Sequence, residues 1–206
     1  MTAFLLRSGW TVARRKRLRK LARRSGRGAE PADLGLLALR LVAGALLAGH
    51  GSQKLFGWFG GHGHKGTAGW LESIGFRPGE HWALAAGLSE FGGGVLTGLG
   101  FLNPLGPIVM MAPMTMATAK VHRGKPIWAQ AGGAELPVTN IAIATAVAVA
   151  GPGRFSVDRL LGIRLPWPLT LLAVAGTAGG VALGLRSRPP EPAAQESAGA
   201  ELQAEG

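Results

Sequence analysis

Residues 33–57 read DLGLLALRLVAGALLAGHGSQKLFG, and the interpretation of the whole chain turns on them. From Leu34 to Gly49 the only charge is Arg40, and the run closes on the polar group His50-Gly51-Ser52-Gln53-Lys54. With Leu55 and Phe56 added, it matches the roughly 20 apolar residues needed to cross a bilayer core. A soluble helix of that length would carry a continuous polar face, which is missing here. The stretch is therefore predicted to be a membrane-spanning helix. At about 100° per residue, Gly44, Leu47, Gly51 and Lys54 fall within about 40° of Arg40, with His50 about 80° away. A buried charge costs about 2.5–3.5 kcal/mol on insertion scales, so this side should face protein or water. Gly44 and Gly51 on the same side would let a second helix come close.

Composition sets limits on the chemistry. The chain has 206 residues, 34 of them glycine, with no tyrosine and no cysteine. Without cysteine it has no disulfide, no thiolate nucleophile and no Cys-ligated iron–sulfur cluster. Any thiol chemistry must take place on a substrate or a partner. The formal charge of +11 is unevenly spread: ten of the 22 Lys and Arg residues precede Asp33. A basic run just before a spanning helix is explained by the cytoplasmic leaflet and its anionic lipids. It does not require nucleic acid. Arg14-Arg15-Lys16-Arg17-Leu18 bears a faint likeness to a twin-arginine signal, but no small-x-small cleavage pattern follows, so an uncleaved anchor is expected.

Four further apolar runs follow, at about 82–102, 105–121, 135–150 and 165–185. A glycine-rich loop with tryptophans precedes the second span, and a short interfacial helix is expected from Ala68 to Ile74. Pro113 should bend the third span. The methionines at 110, 111, 114 and 116 suit adaptable packing better than a copper site. Gly151-Pro152-Gly153 ends the fourth span, and the arginine-bearing stretch 154–164 leads to the fifth. The expected fold is an all-α membrane protein, a four-helix transmembrane bundle with a fifth C-terminal helix. Its parts are a basic cytoplasmic arm (1–33), a bundle domain (34–164), the fifth helix (165–186) and a disordered acidic tail (187–206). The lysine and arginine distribution places the N-terminus in the cytoplasm.

Depth along these helices suggests a site. At 1.5 Å per residue, His50, Lys54, His122 and Glu135 come near one level at the far end of the first span, with Glu90 below them. Arg40 would lie within reach of Glu90 as a structural ion pair. Five residues, His50, Lys54, Glu90, His122 and Glu135, form the candidate catalytic pocket. His62 and His64 lie in a flexible loop without further ligands, so no metal is expected. Heme between His50 and His122 has no accompanying binding signature.

The segments His50-Gly51-x-x-Lys54-Leu55-Phe56-Gly57, Glu90-Phe91-Gly92-Gly93, His122, Gly132-Gly133-x-Glu135 and Gly151-Pro152-Gly153-Arg154-Phe155-Ser156-x-Asp158 together resemble the DoxX family of small bacterial membrane proteins. The resemblance covers roughly Leu34 to Leu161. It implies a four-helix bundle in the bacterial inner (plasma) membrane. Some relatives are linked to thiosulfate:quinone oxidoreduction, and others to membrane-associated thiol and oxidative-stress complexes. The function expected is that of a non-autonomous membrane subunit of a quinone-linked redox system acting on sulfur or thiol compounds. No resident cofactor is evident, and quinone is the expected bound substrate. A scaffold docking soluble redox enzymes and a small-solute or anion transporter are the alternatives. The partners implied are the lipid bilayer and soluble redox proteins, not nucleic acid, with homo-oligomerisation left open.

Overall fold

The structure, a computed structural model, describes residues 30–188. The basic arm at 1–29 and the tail from residue 189 lie outside the described residues. Within them the chain is all-helical. Helix α1 spans Pro31–Phe56, α2 Gly63–Ser73, α3 Gly79–Leu99 and α4 Leu105–Met116. Helix α5 follows at Glu135–Ala150, α6 is a short turn at Val157–Leu161, and α7 runs Trp167–Arg186.

Local chemistry sets the ends of α1. Glu30 and Asp33 form a capping box around Pro31, which occupies a position where a missing N–H costs nothing. At the other end Gly57 takes the left-handed conformation, φ 73°, that stops the helix. The 26 residues between them span about 39 Å. Among the described residues, α1 and α7 are long and apolar enough to cross a membrane, and α4 and α5 are shorter apolar helices.

The predicted inward face of α1 is the buried one: Arg40, Gly44, Leu47 and Gly51 are all enclosed. They meet α3, which runs antiparallel. A Cβ on Gly44 would come within 2.6 Å of the Gly98 nitrogen, and one on Gly94 within 2.6 Å of the Gly44 carbonyl. The two backbones therefore approach as only glycine permits. Helix α3 packs next on α4, α4 on α5, and α5 returns to α1, closing a ring of four helices. Leu47, Met110, Met114 and Ala144 fill its middle, so the methionine patch serves as packing. Helix α2 lies against α1 and α3, and α7 lies against α4.

Three details depart from the sequence reading. Helix α2 begins at Gly63, five residues before the expected start. The third apolar helix covers the expected 105–121, but its last five residues, Ala117–Val121, wind as a π turn that begins four residues beyond Pro113. The arginine-bearing connector contains the short helix α6, capped by the Ser156 hydroxyl.

Candidate functional site

A cavity of about 660 Å³ opens at the end of the ring that carries Lys54, between α1, α2, α3, α4, α5 and α7. Most of its walls are apolar, from Trp70, Leu71, Phe76, Trp82, Met114 and Val181 among others. Its polar groups include His50, Lys54, Glu90 and His122, four of the five residues singled out by the sequence.

The central feature is an ion pair. Lys54 Nζ donates to Glu90 Oε2 at 2.5 Å, and the Glu90 side chain is only 3% exposed. Both side chains lean toward the N-terminal end of their own helix, as helical side chains do. Because α1 and α3 are antiparallel, those leanings bring Lys54 down and Glu90 up to meet. The same rule explains why the expected Arg40–Glu90 pair does not form. Arg40 leans away from Glu90, toward the start of α1, and lies about 21 Å along the axis from Lys54. There it is buried (1% exposed), its Nη2 donating to the Phe155 carbonyl, near Gly100 and Ser156. Asp158 supplies the nearby negative charge. Equal depth had suggested the pairing, but side-chain direction decides it.

The two histidines have defined partners. His122 Nδ1 lies 2.6 Å from the Gly132 carbonyl, which only accepts, so Nδ1 carries the proton and Nε2 keeps its lone pair in the neutral ring. His50 Nδ1 lies 3.1 Å from Gln53 Oε1 and follows the same logic. Each imidazole thus keeps a second nitrogen for a ligand.

Glu135 does not join them. It is the first residue of α5, so its carboxylate faces the preceding loop, where Oε2 accepts from the Ala129 N–H at 2.8 Å. Its own N–H donates to the Ile127 carbonyl. Glu135 closes that loop, and the next residues, Leu136, Pro137 and Asn140, reach the cavity instead.

The sequence reading missed several groups. Asn140 is the one amide side chain of α5, beside the hydroxyl of Thr139 in a largely apolar helix, and that amide was a usable signal. Trp82 meets Phe76 edge-on at 5.2 Å and lines the cavity. Lys120 also lines the cavity, and its Nζ donates to the carbonyls of Leu185 (2.9 Å) and Ser187 (2.6 Å). It thereby satisfies the C-terminal end of α7. Helix α7 closes one side with small residues, Ala173, Gly176, Thr177 and Gly180, spaced to share one face.

At the opposite end, Asp158 holds the α3–α4 turn. Its two carboxylate oxygens accept from the Leu102 and Asn103 N–H groups, each at 2.8 Å, and its own N–H donates to Gly100. The segment from Gly151 to Asp158 is therefore a structural buckle. Among the described residues, no group of three or more His, Asp or Glu side chains is placed to hold a metal ion.

The DoxX family model matches residues 35–123, a segment that contains His50, Lys54, Glu90 and His122. Neither a curated protein nor a solved structure matches the chain.

Proposed function

As a member of the DoxX family over residues 35–123, and so a membrane protein, the chain is one that we propose serves as the membrane subunit of a quinone-linked redox system acting on sulfur or thiol compounds. In this reading α1, α3, α4 and α5 form a four-helix transmembrane bundle with α7 as a fifth span. The bundle sits in a bacterial plasma membrane with its N-terminus in the cytoplasm. One observation carries the proposal: an apolar cavity has Lys54, Glu90, His50 and His122 gathered among its walls. Pockets that take an apolar ligand and orient it with a few polar groups have this composition. A quinone ring and tail suit the apolar walls, and its carbonyl oxygens need donors. Lys54 and a protonated imidazole can donate, while a neutral Nε2 can accept from a quinol hydroxyl. Having no cysteine, the chain offers no thiol of its own, and in this reading a partner protein oxidises the sulfur compound and supplies the electrons. The quinone takes up two electrons and two protons to become quinol, and in this reading His50 and His122, each protonated at Nε2, would give one proton apiece and return to the neutral ring.

The test is mass spectrometry of lipids and quinones retained by the gently solubilised protein. Quinone should be present in the parent chain and in Glu135→Gln, and depleted at least about tenfold in His122→Ala and Lys54→Met. Retention in all four proteins, or in none, would refute the assignment of this cavity.

A further inference from the structure

A second cleft, of about 810 Å³, lies at the other end of the molecule, between the start of α1, the α3–α4 turn and the connector from α5 to α7. Three arginines line it, Arg154, Arg159 and Arg164, together with three carboxylates, Glu30, Asp33 and Asp158. The charges balance by count, but their hydrogen-bonding capacity does not. Asp158 is engaged by two backbone N–H groups, and Glu30 and Asp33 accept backbone N–H groups in the α1 capping box. All three carboxylates are thus committed to holding the chain. Among the described residues, the guanidinium groups of Arg159 and Arg164 have no hydrogen-bond or ion-pair partner, and both side chains are exposed. Alongside them the chain presents bare apolar side chains: Leu160 is 83% exposed, Leu161 62% and Trp167 73%. In a membrane protein, guanidinium donors beside exposed leucine and tryptophan at the helix ends mark the headgroup level.

We propose that this cleft binds an anionic phospholipid, its phosphodiester on Arg159 and Arg164 and its acyl chains along Leu160, Leu161 and Trp167. Guanidinium groups match phosphate oxygens with paired donors, so the recognised chemistry is a phosphate anion. The adjacent apolar surface commits the source to a lipid rather than a free ion. The bound lipid would tie the α5–α7 connector to the bilayer. This proposal requires the membrane setting alone and stands whether or not the distant cavity binds quinone.

The test is native mass spectrometry of the full chain, delipidated in detergent and titrated with phosphatidylglycerol, phosphatidylcholine or inorganic phosphate. Phosphatidylglycerol should bind at least about tenfold more tightly than phosphatidylcholine. The Arg159→Gln/Arg164→Gln variant should lose that preference, while Arg123→Gln/Lys125→Gln, at the opposite end, should keep it. Millimolar phosphate should not compete. An unchanged preference in the first variant, an equal loss in the second, or displacement by phosphate would overturn the proposal. Should the double variant lose its helical circular dichroism, Arg164→Gln alone gives the same reading with a smaller loss. Full retention in that variant would count against the site.

Discussion

The Lys54–Glu90 pair offers the sharpest test of the fold and of the candidate site together. The charges approach to 2.5 Å with Glu90 3% and Lys54 28% exposed. At an effective dielectric of about 20, a pair at that distance gains about 7 kcal/mol of gross Coulomb energy. Desolvation of the two ions, several kcal/mol each, offsets most of that gain. The net value of the pair is therefore small, but the cost of breaking it is not. Lys54→Met strands a carboxylate in an enclosed site and should cost about 3–5 kcal/mol. Glu90→Gln leaves an ammonium that still reaches water, so its cost should be lower, about 2–3 kcal/mol. In the double variant neither charge remains to be stranded, and the total should fall below the sum of the singles by about 2–3 kcal/mol. The measurement is a double-mutant cycle from dodecyl-sulfate unfolding in bicelles, followed by tryptophan fluorescence. An exposed pair would couple by only about 0.2–1 kcal/mol. Single costs that add to within about 0.5 kcal/mol would refute the idea that these two side chains meet.

Other consequences are simpler to check. Lys120→Met removes the donor to the Leu185 and Ser187 carbonyls and should cost about 1 kcal/mol, read as faster amide exchange at the end of α7 with α1 and α3 unchanged. Asp158→Ala leaves the Leu102 and Asn103 N–H groups without their acceptor and should cost about 2–5 kcal/mol in the same unfolding assay, whereas Asp158→Asn keeps one acceptor and should cost less. Gly180 lines the cavity and a Cβ there would meet nothing within 4 Å, so Gly180→Phe should fold with unchanged or slightly raised stability yet exclude a cavity ligand. Loss of helix content on that substitution would show that the space beside α7 is not open.

Much of the core was legible because its cause is local. Arg40, Gly44, Leu47 and Gly51 share one side of a 3.6-residue helix whatever surrounds it, and that side is the buried one. The convergence of His50, Lys54, Glu90 and His122 followed from helix lengths and alternating direction. The pairing of Arg40 could not be read from depth, because a long side chain reaches along the helix as well as across it. Its partners, the Phe155 carbonyl and the charge of Asp158, are more than 100 positions away in sequence. Glu135 was misplaced for a related reason: at the first position of a helix a carboxylate turns back to the loop it ends. The wall made by α7 left no trace, since a run that is apolar all round does not show which face meets protein.

That wall changes how the site divides along the chain. The ion pair and both histidines fall within residues 35–123, the portion that matches the DoxX family, whereas Asn140 on α5 and the small face of α7 lie beyond it. On the proposed function, the polar groups would set what a ligand must offer at its reactive end. The later helices would set how much apolar bulk can accompany it, because Gly176 and Gly180 leave space that any larger side chain would occupy. Lys120 links the two parts. It sits in the π turn just before His122 and holds the last carbonyls of α7, so the position of that wall depends on the same few residues that deliver His122 to the cavity. A change in the α7 cap should therefore alter which ligands fit without touching the Lys54–Glu90 pair.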